Sequence, residues 1–177
     1  LALLSTAQIQ GLGTAVIRSL TTAQLPGITT GQVAALTQAQ AKAISASQLG
    51  VGGLSTAQTA ALTTYAIAAL DTSALTSLQI TSLTTAQAKA LNGTQLKTFS
   101  SAQIAALPST QTQQLTANAI KFLTTAQVAA LTTTQVSSLT ATQLASLSAT
   151  QLNAMTSTQL PKLTASGLRS ISLAGMS

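Results

Sequence analysis

Residues Leu123–Met155 read LTTAQVAALTTTQVSSLTATQLASLSATQLNAM, one eight-residue phrase passed through four times and closed by a methionine. With the leucine as position 0, the phrase runs hydroxyl residue at +1, small or hydroxyl residues at +2 and +3, glutamine at +4, an aliphatic at +5 and small residues at +6 and +7. A repeat is the unit from which such a fold is assembled, so its period is read before local propensity.

The register extends well beyond this stretch. Position 0 recurs at Leu4, Leu12, Leu20, Ile28, Leu36 and Ile44, resumes at Leu54, Leu62 and Leu70, and then runs from Leu83 to Leu163, giving twenty full octads. Two irregularities interrupt it, a two-residue insertion around 50–53 and a five-residue one placed near 78–82.

Position +1 discloses the rule. Sixteen of the twenty are Ser or Thr, and Gly13, Asp71 and Asn92 account for three of the other four, with Pro108 the exception. These are the residues favoured at a helix N-cap, where a side-chain oxygen accepts from an otherwise unpaired backbone N–H. Position +4 is then N3, from which Gln reaches back to the cap's own N–H, and fifteen of the twenty octads have Gln there. Positions 0 and +5 become N′ and N4, the pair that packs as a hydrophobic staple. Three independent helix-start signals agree, which predicts one very short, self-capped helix per eight residues.

One continuous helix does not fit, because eight residues advance about 800° and the leucine row would turn by roughly 80° per repeat. A β-solenoid is the alternative, since a period of eight keeps strand parity and Thr is abundant. Against it, positions 0 and +5 would face opposite ways, and the Gly, Asn and Asp of tight coil corners are scarce. The sequence therefore predicts an all-α repeat solenoid over 1–177. Isolated helices of about six residues do not persist in water, so stability has to come from stacking successive units through positions 0 and +5.

Composition excludes several classes of function. The chain has 177 residues, 46% hydrophobic, 2% aromatic and 5% charged, with no Cys and no His; the mean hydropathy of +0.44 separates it from disordered chains of low hydrophobicity and high charge. Polar residues interrupt every apolar run, so no membrane span is predicted. The chain opens at Leu1 without Met or a basic-then-apolar leader, which reads as an excerpt or a processed product.

The octads resemble the LTTAQVAAL-type tracts of large secreted and cell-surface bacterial proteins. That resemblance covers essentially the whole chain and implies an adhesin-like, sheath-like or filament-forming role outside the cell. Such proteins often carry calcium-binding glycine and aspartate repeats elsewhere; here the single carboxylate Asp71 supplies no ligand set. The opening Leu-Thr followed by Gln also resembles the first helix of TAL effector repeats, but those are about four times longer and carry a second helix and a base-reading loop, so DNA recognition is not carried over.

No catalytic, cofactor-binding or metal-binding residues are predicted. A hydroxyl nucleophile needs a base, and without His only Lys is available. Asp71 and Asn92 fall at +1 and read as caps, Asn92 despite the glycosylation-type triplet Asn92–Thr94. Six of the seven cations, Arg18, Lys42, Lys89, Lys97, Lys121 and Arg169, fall at +6, with Lys162 at +7. There they suit the negative end of the helix dipole. Nucleic-acid binding would add stacking aromatics, and the chain has only Tyr65, Phe99 and Phe122. Thr pairs such as Thr124–Thr125 and Thr132–Thr133 suggest an ice-binding face, but the first hydroxyl of each is used as a cap. The expected role is structural, by self-association into a homopolymer or filament, without small-molecule substrate or cofactor. The alternative is a surface module that recognises glycans or polyanions.

Overall fold

The computed structural model describes residues 1–171 and is all-helical over them, with no strand, so the helical reading of the octads holds and the β-solenoid is set aside. The final octads lose their +4 glutamine at Gly167 and Gly175, which the sequence reads as a terminal or transitional coil; Gly167 instead lies within the helix Ala165–Ser170, and Gly175 lies outside the described residues. The chain divides into two compact units, Leu1–Ala90 and Leu91–Ser177.

In the first unit the helices are α1 (Thr6–Gln10), α2 (Thr14–Ser19), α3 (Thr30–Ala34), α4 (Gln38–Ala43), α5 (Ala46–Leu49), α6 (Thr56–Ala61), α7 (Thr64–Ala69), α8 (Ser77–Ser82) and α9 (Thr85–Ala90). In the second they are α10 (Gly93–Thr98), α11 (Ser101–Ala106), α12 (Ser109–Thr112), α13 (Ala117–Ile120), α14 (Thr125–Ala130), α15 (Thr133–Ser138), α16 (Ala141–Ala145), α17 (Ala149–Asn153) and α18 (Ala165–Ser170).

Three octads tighten to 3-10 turns, at Leu25–Gly27, Thr72–Ala74 and Leu160–Lys162. Two contain Pro26 or Pro161 at +6, where proline has no N–H to close an α-helical bond onto the +2 carbonyl. The third is a shortened unit: Leu70 is followed by Asp71, the turn Thr72–Ala74 and then Leu75, which opens a regular octad with α8 inside it. The register break expected at 78–82 therefore falls at 71–74. Thr76 and Gln79 form a full capping box on α8, so 78–82 is ordinary helix. Extra residues at 50–53 follow α5. Gly52 there has φ +80°, and a Cβ on Gly53 would stand 2.1 Å from the Gln48 carbonyl oxygen, so two glycines are required to fold the extra residues back on α5.

Helices pack on the helix three octads away. In the second unit α11, α14 and α17 form one row and start at residues 101, 125 and 149, so one turn of the coil takes 24 residues. A second row holds α12, α15 and the turn Leu160–Lys162, and a third holds α10, α13, α16 and α18. The first unit repeats the arrangement, with rows α1–α3–α6–α8 and α2–α4–α7–α9, and a third in which α5 packs on the turn Thr72–Ala74.

Corners between helices use two successive extended residues. Leu131 has φ −56° and ψ 133°, and Thr132 has φ −70° and ψ 157°. No non-glycine residue among those described has positive φ, which is why the corners need neither Gly nor Asn and any leucine–hydroxyl pair can make one. The core is the stack of position 0 and +5 side chains, for example Leu107, Leu131, Ile104, Val128 and Val136, all buried. Full burial of each such side chain contributes about 1.5–3 kcal/mol, which offsets the poor intrinsic stability of helices this short.

Candidate functional site

The feature that repeats most closely is the environment of the +4 glutamine. Its Oε1 accepts from the N-cap N–H while the N-cap hydroxyl accepts from the glutamine's own N–H, as in Thr132 and Gln135 at 2.7 and 3.2 Å. The same reciprocal pair forms at Thr29–Gln32, Ser55–Gln58, Ser100–Gln103, Thr124–Gln127 and Ser148–Gln151. At Pro108 there is no N–H to enter such a box, and α12 starts without a side-chain cap.

The other half of the carboxamide does something that the capping motif does not require. Gln135 Nε2 donates to the carbonyls of Ile104 and Leu107, both at 2.7 Å. Ile104 is position +5 of α11, and Leu107 is that helix's C-cap. Gln40 reaches Ile9 and Leu12, Gln48 reaches Ile17 and Leu20, and Gln143 reaches Thr112 and Leu115 in the same way. Each glutamine thus caps the start of its own helix and the end of a helix one turn away. These interturn bonds explain why Gln40, Gln79, Gln87 and Gln135 are buried although polar.

Two of the +4 glutamines differ. Gln8 and Gln24 are exposed; each accepts from its cap N–H, and among the described residues no carbonyl meets their Nε2 groups.

The residues singled out from the sequence as chemical candidates occupy structural positions. Asp71 caps the turn Thr72–Ala74, accepting from the Ser73 hydroxyl at 2.6 Å and the Ser73 N–H at 3.1 Å. The Ser73 hydroxyl, and then its backbone N–H, hold this carboxyl below the usual carboxylate range. Asn92 caps α10 through Oδ1. Thr124 and Thr132 spend their hydroxyls as caps, leaving Thr125 and Thr133 exposed. Phe99 is core, Tyr65 is exposed, and the Phe122 ring lies against Gly93 with Lys121 Nζ 5.7 Å from its centroid.

Among the described residues no three metal-ligating side chains come together, and no helix is long and apolar enough to cross a membrane. The apolar void between Ile17, Leu25, Val33, Ile44 and Leu54 holds about 20 Å³, too little for any ligand beyond a water. The depressions on the surface are grooves between turns, such as that lined by Lys121, Thr124, Ser148 and Gln151.

Comparison with known proteins gives a family likeness. Residues 1–38 match the ALTTAQ repeat. The chain is a repeat protein whose repeats are helical. No curated protein and no solved structure matches it.

Proposed function

We propose that this chain is a non-enzymatic structural element that self-associates by stacking its coils, as part of an extracellular filament, sheath or adhesin stalk of a bacterium. The observation that carries the reading is the glutamine corner. In most octads the surface one turn offers the next is made of the same amide donors and C-terminal carbonyls, so the interface that joins turns also suits turns of another copy. Gln8 and Gln24 present such donors outward. A surface with few charges offers little repulsion to association. The cell-surface setting rests on the resemblance of the octads to tracts in secreted proteins, and the reading involves no cofactor and no small-molecule substrate.

Electron microscopy and sedimentation across a concentration series test it. End-to-end fibres are expected, and Gln8→Glu with Gln24→Glu shortens them, because a carboxylate repels the carbonyls that a carboxamide would bind. Dispersed monomers at every concentration would overturn the proposal. Antibody labelling of intact cells tests the location, and labelling only after lysis would count against it.

A further inference from the structure

The 24-residue turn sorts the cations in a way the octad alone does not. In the unit Leu1–Ala90, Arg18 belongs to α2, Lys42 to α4 and Lys89 to α9, all in the row α2–α4–α7–α9. In the unit Leu91–Ser177, Lys97 belongs to α10, Lys121 closes α13 and Arg169 belongs to α18, all in the row α10–α13–α16–α18. All six are exposed. Ala68 of α7 and Ala145 of α16 fill the same position in the gaps. The other rows contain no cation except Lys162, and the one acidic side chain, Asp71, belongs to the row of α5. No carboxylate side chain therefore neutralises either basic row.

The exposed aromatics follow the cations. Tyr65 lies on α7 and is 75% exposed, while Phe122 follows α13 beside Lys121 and is 44% exposed. The third aromatic, Phe99, is buried. In the first unit the cations border shallow grooves between turns, one lined by Gln38, Ala39, Lys42, Ala68 and Ala69. Stacked helices are separated by about 8–10 Å, so neighbouring charges in a row stand about one or two such steps apart.

We propose that each unit's basic row is a binding face for a linear acidic polysaccharide, its carboxylates or sulfates paired with the row's Lys and Arg, its hydroxyls with the glutamine and threonine side chains between them, and the apolar face of a sugar against Tyr65 or Phe122. The spacing favours this polymer over nucleic acid. Duplex DNA carries a charge every ~1.7 Å of axis and is bound through many phosphate contacts at once. Three point charges per unit with a single aromatic match a chain bearing sparse anions. The proposal stands apart from self-association, since it concerns side faces of the coils and not their ends.

The test measures binding of the full chain, at low ionic strength, to heparin, to polygalacturonate, to neutral dextran and to duplex DNA. Binding to both acidic polysaccharides is expected, weakening with salt, with dextran unbound and DNA weaker. With the first row removed by R18Q, K42Q and K89Q, so that only the second row binds, neutralising that row as well with K97Q, K121Q and R169Q costs at least about tenfold in affinity. Gln already occupies +6 at Gln10 and Gln113, so these variants keep the fold, and circular dichroism checks it. The deciding variant, made in the same R18Q, K42Q and K89Q background, keeps the charge of the second unit and scatters its row, with K121Q and R169Q compensated by Ala105→Lys on α11 and Ser137→Lys on α15. It is expected to bind as weakly as the neutralised form. Affinity undiminished from that background in the scattered variant, equal or tighter binding of DNA, or no retention on either acidic polysaccharide would each overturn the proposal.

Discussion

Gln135 Nε2 donates to the carbonyl oxygen of Leu107 at 2.7 Å across 28 residues of sequence, while Oε1 of the same carboxamide accepts from Thr132 N–H at 2.7 Å. One planar group therefore joins the start of α15 to the end of α11. Short helices have a high share of unpaired terminal groups. A coil built only of short helices is stable only if those groups are met, and the +4 glutamine meets them at both ends.

Replacing Gln135 by Ala leaves the buried Leu107 carbonyl without its side-chain partner and the Thr132 N–H uncapped. The expected loss of stability is about 2–4 kcal/mol, read by urea unfolding. The exposed Gln113→Ala is expected to stay within about 0.5 kcal/mol. Equal effects at the two positions would show that glutamine contributes by helix propensity alone.

Gly93 is required by its neighbour. A Cβ there would lie 2.2 Å from Phe122 Cδ2, so Gly93→Ala must displace the ring. The ring is half exposed and can swing out, which puts the cost near the low end for overpacking, about 1 kcal/mol. In a Phe122→Ala background the same substitution is expected to be neutral or stabilising, because alanine is the better helix former. A double-mutant cycle in thermal unfolding measures the difference.

The hydroxyl of Thr72 is buried in the shortened unit and has no hydrogen-bond partner. Thr72→Val keeps the shape and removes the unsatisfied group. Stability is expected to rise by about 1 kcal/mol in denaturant unfolding, in contrast to Thr132→Val, which removes an N-cap and is expected to cost about 1 kcal/mol.

Acid should affect this protein little. Asp71 has its folded-state pKa lowered by Ser73, so its contribution is present above the ordinary carboxylate pKa and is lost as pH falls through the folded value. The carboxyl is exposed, so the loss is a few tenths of a kcal/mol at most. Unfolding midpoints are expected to stay nearly level from neutral pH down to the ordinary carboxylate range and to dip slightly below it. Ser73→Ala should make the dip shallower, because it removes the hydroxyl that lowers the folded-state pKa.

The helix starts and the apolar core were legible because capping and stapling are local, confined to positions 0 to +5 of one octad. The turn of 24 residues was not, since nothing within an octad states how many units close a coil. The break at 71–74 was misplaced because Leu75 and Leu78 are both leucines and only the Thr76–Gln79 pair distinguishes the register. The interturn role of glutamine did leave a signal. A capping box accepts Glu as readily as Gln, whereas a carboxylate could not donate to the carbonyls of Leu107 or Leu12; the signal is the preference for Gln at +4 in a chain that has no Glu at all. The basic rows could be seen only once the turn length had aligned Lys97 with Lys121 and Arg169.

The most direct test of the double-ended glutamine cap is hydrogen exchange at its side-chain amide, followed by NMR. Gln135 Nε2 is expected to exchange slowly and to show cross-peaks to Leu107, while the exposed Gln8 amide exchanges at the rate of free glutamine. Equal, fast exchange at both would contradict the account, since no carboxamide would then be tying one turn to the next.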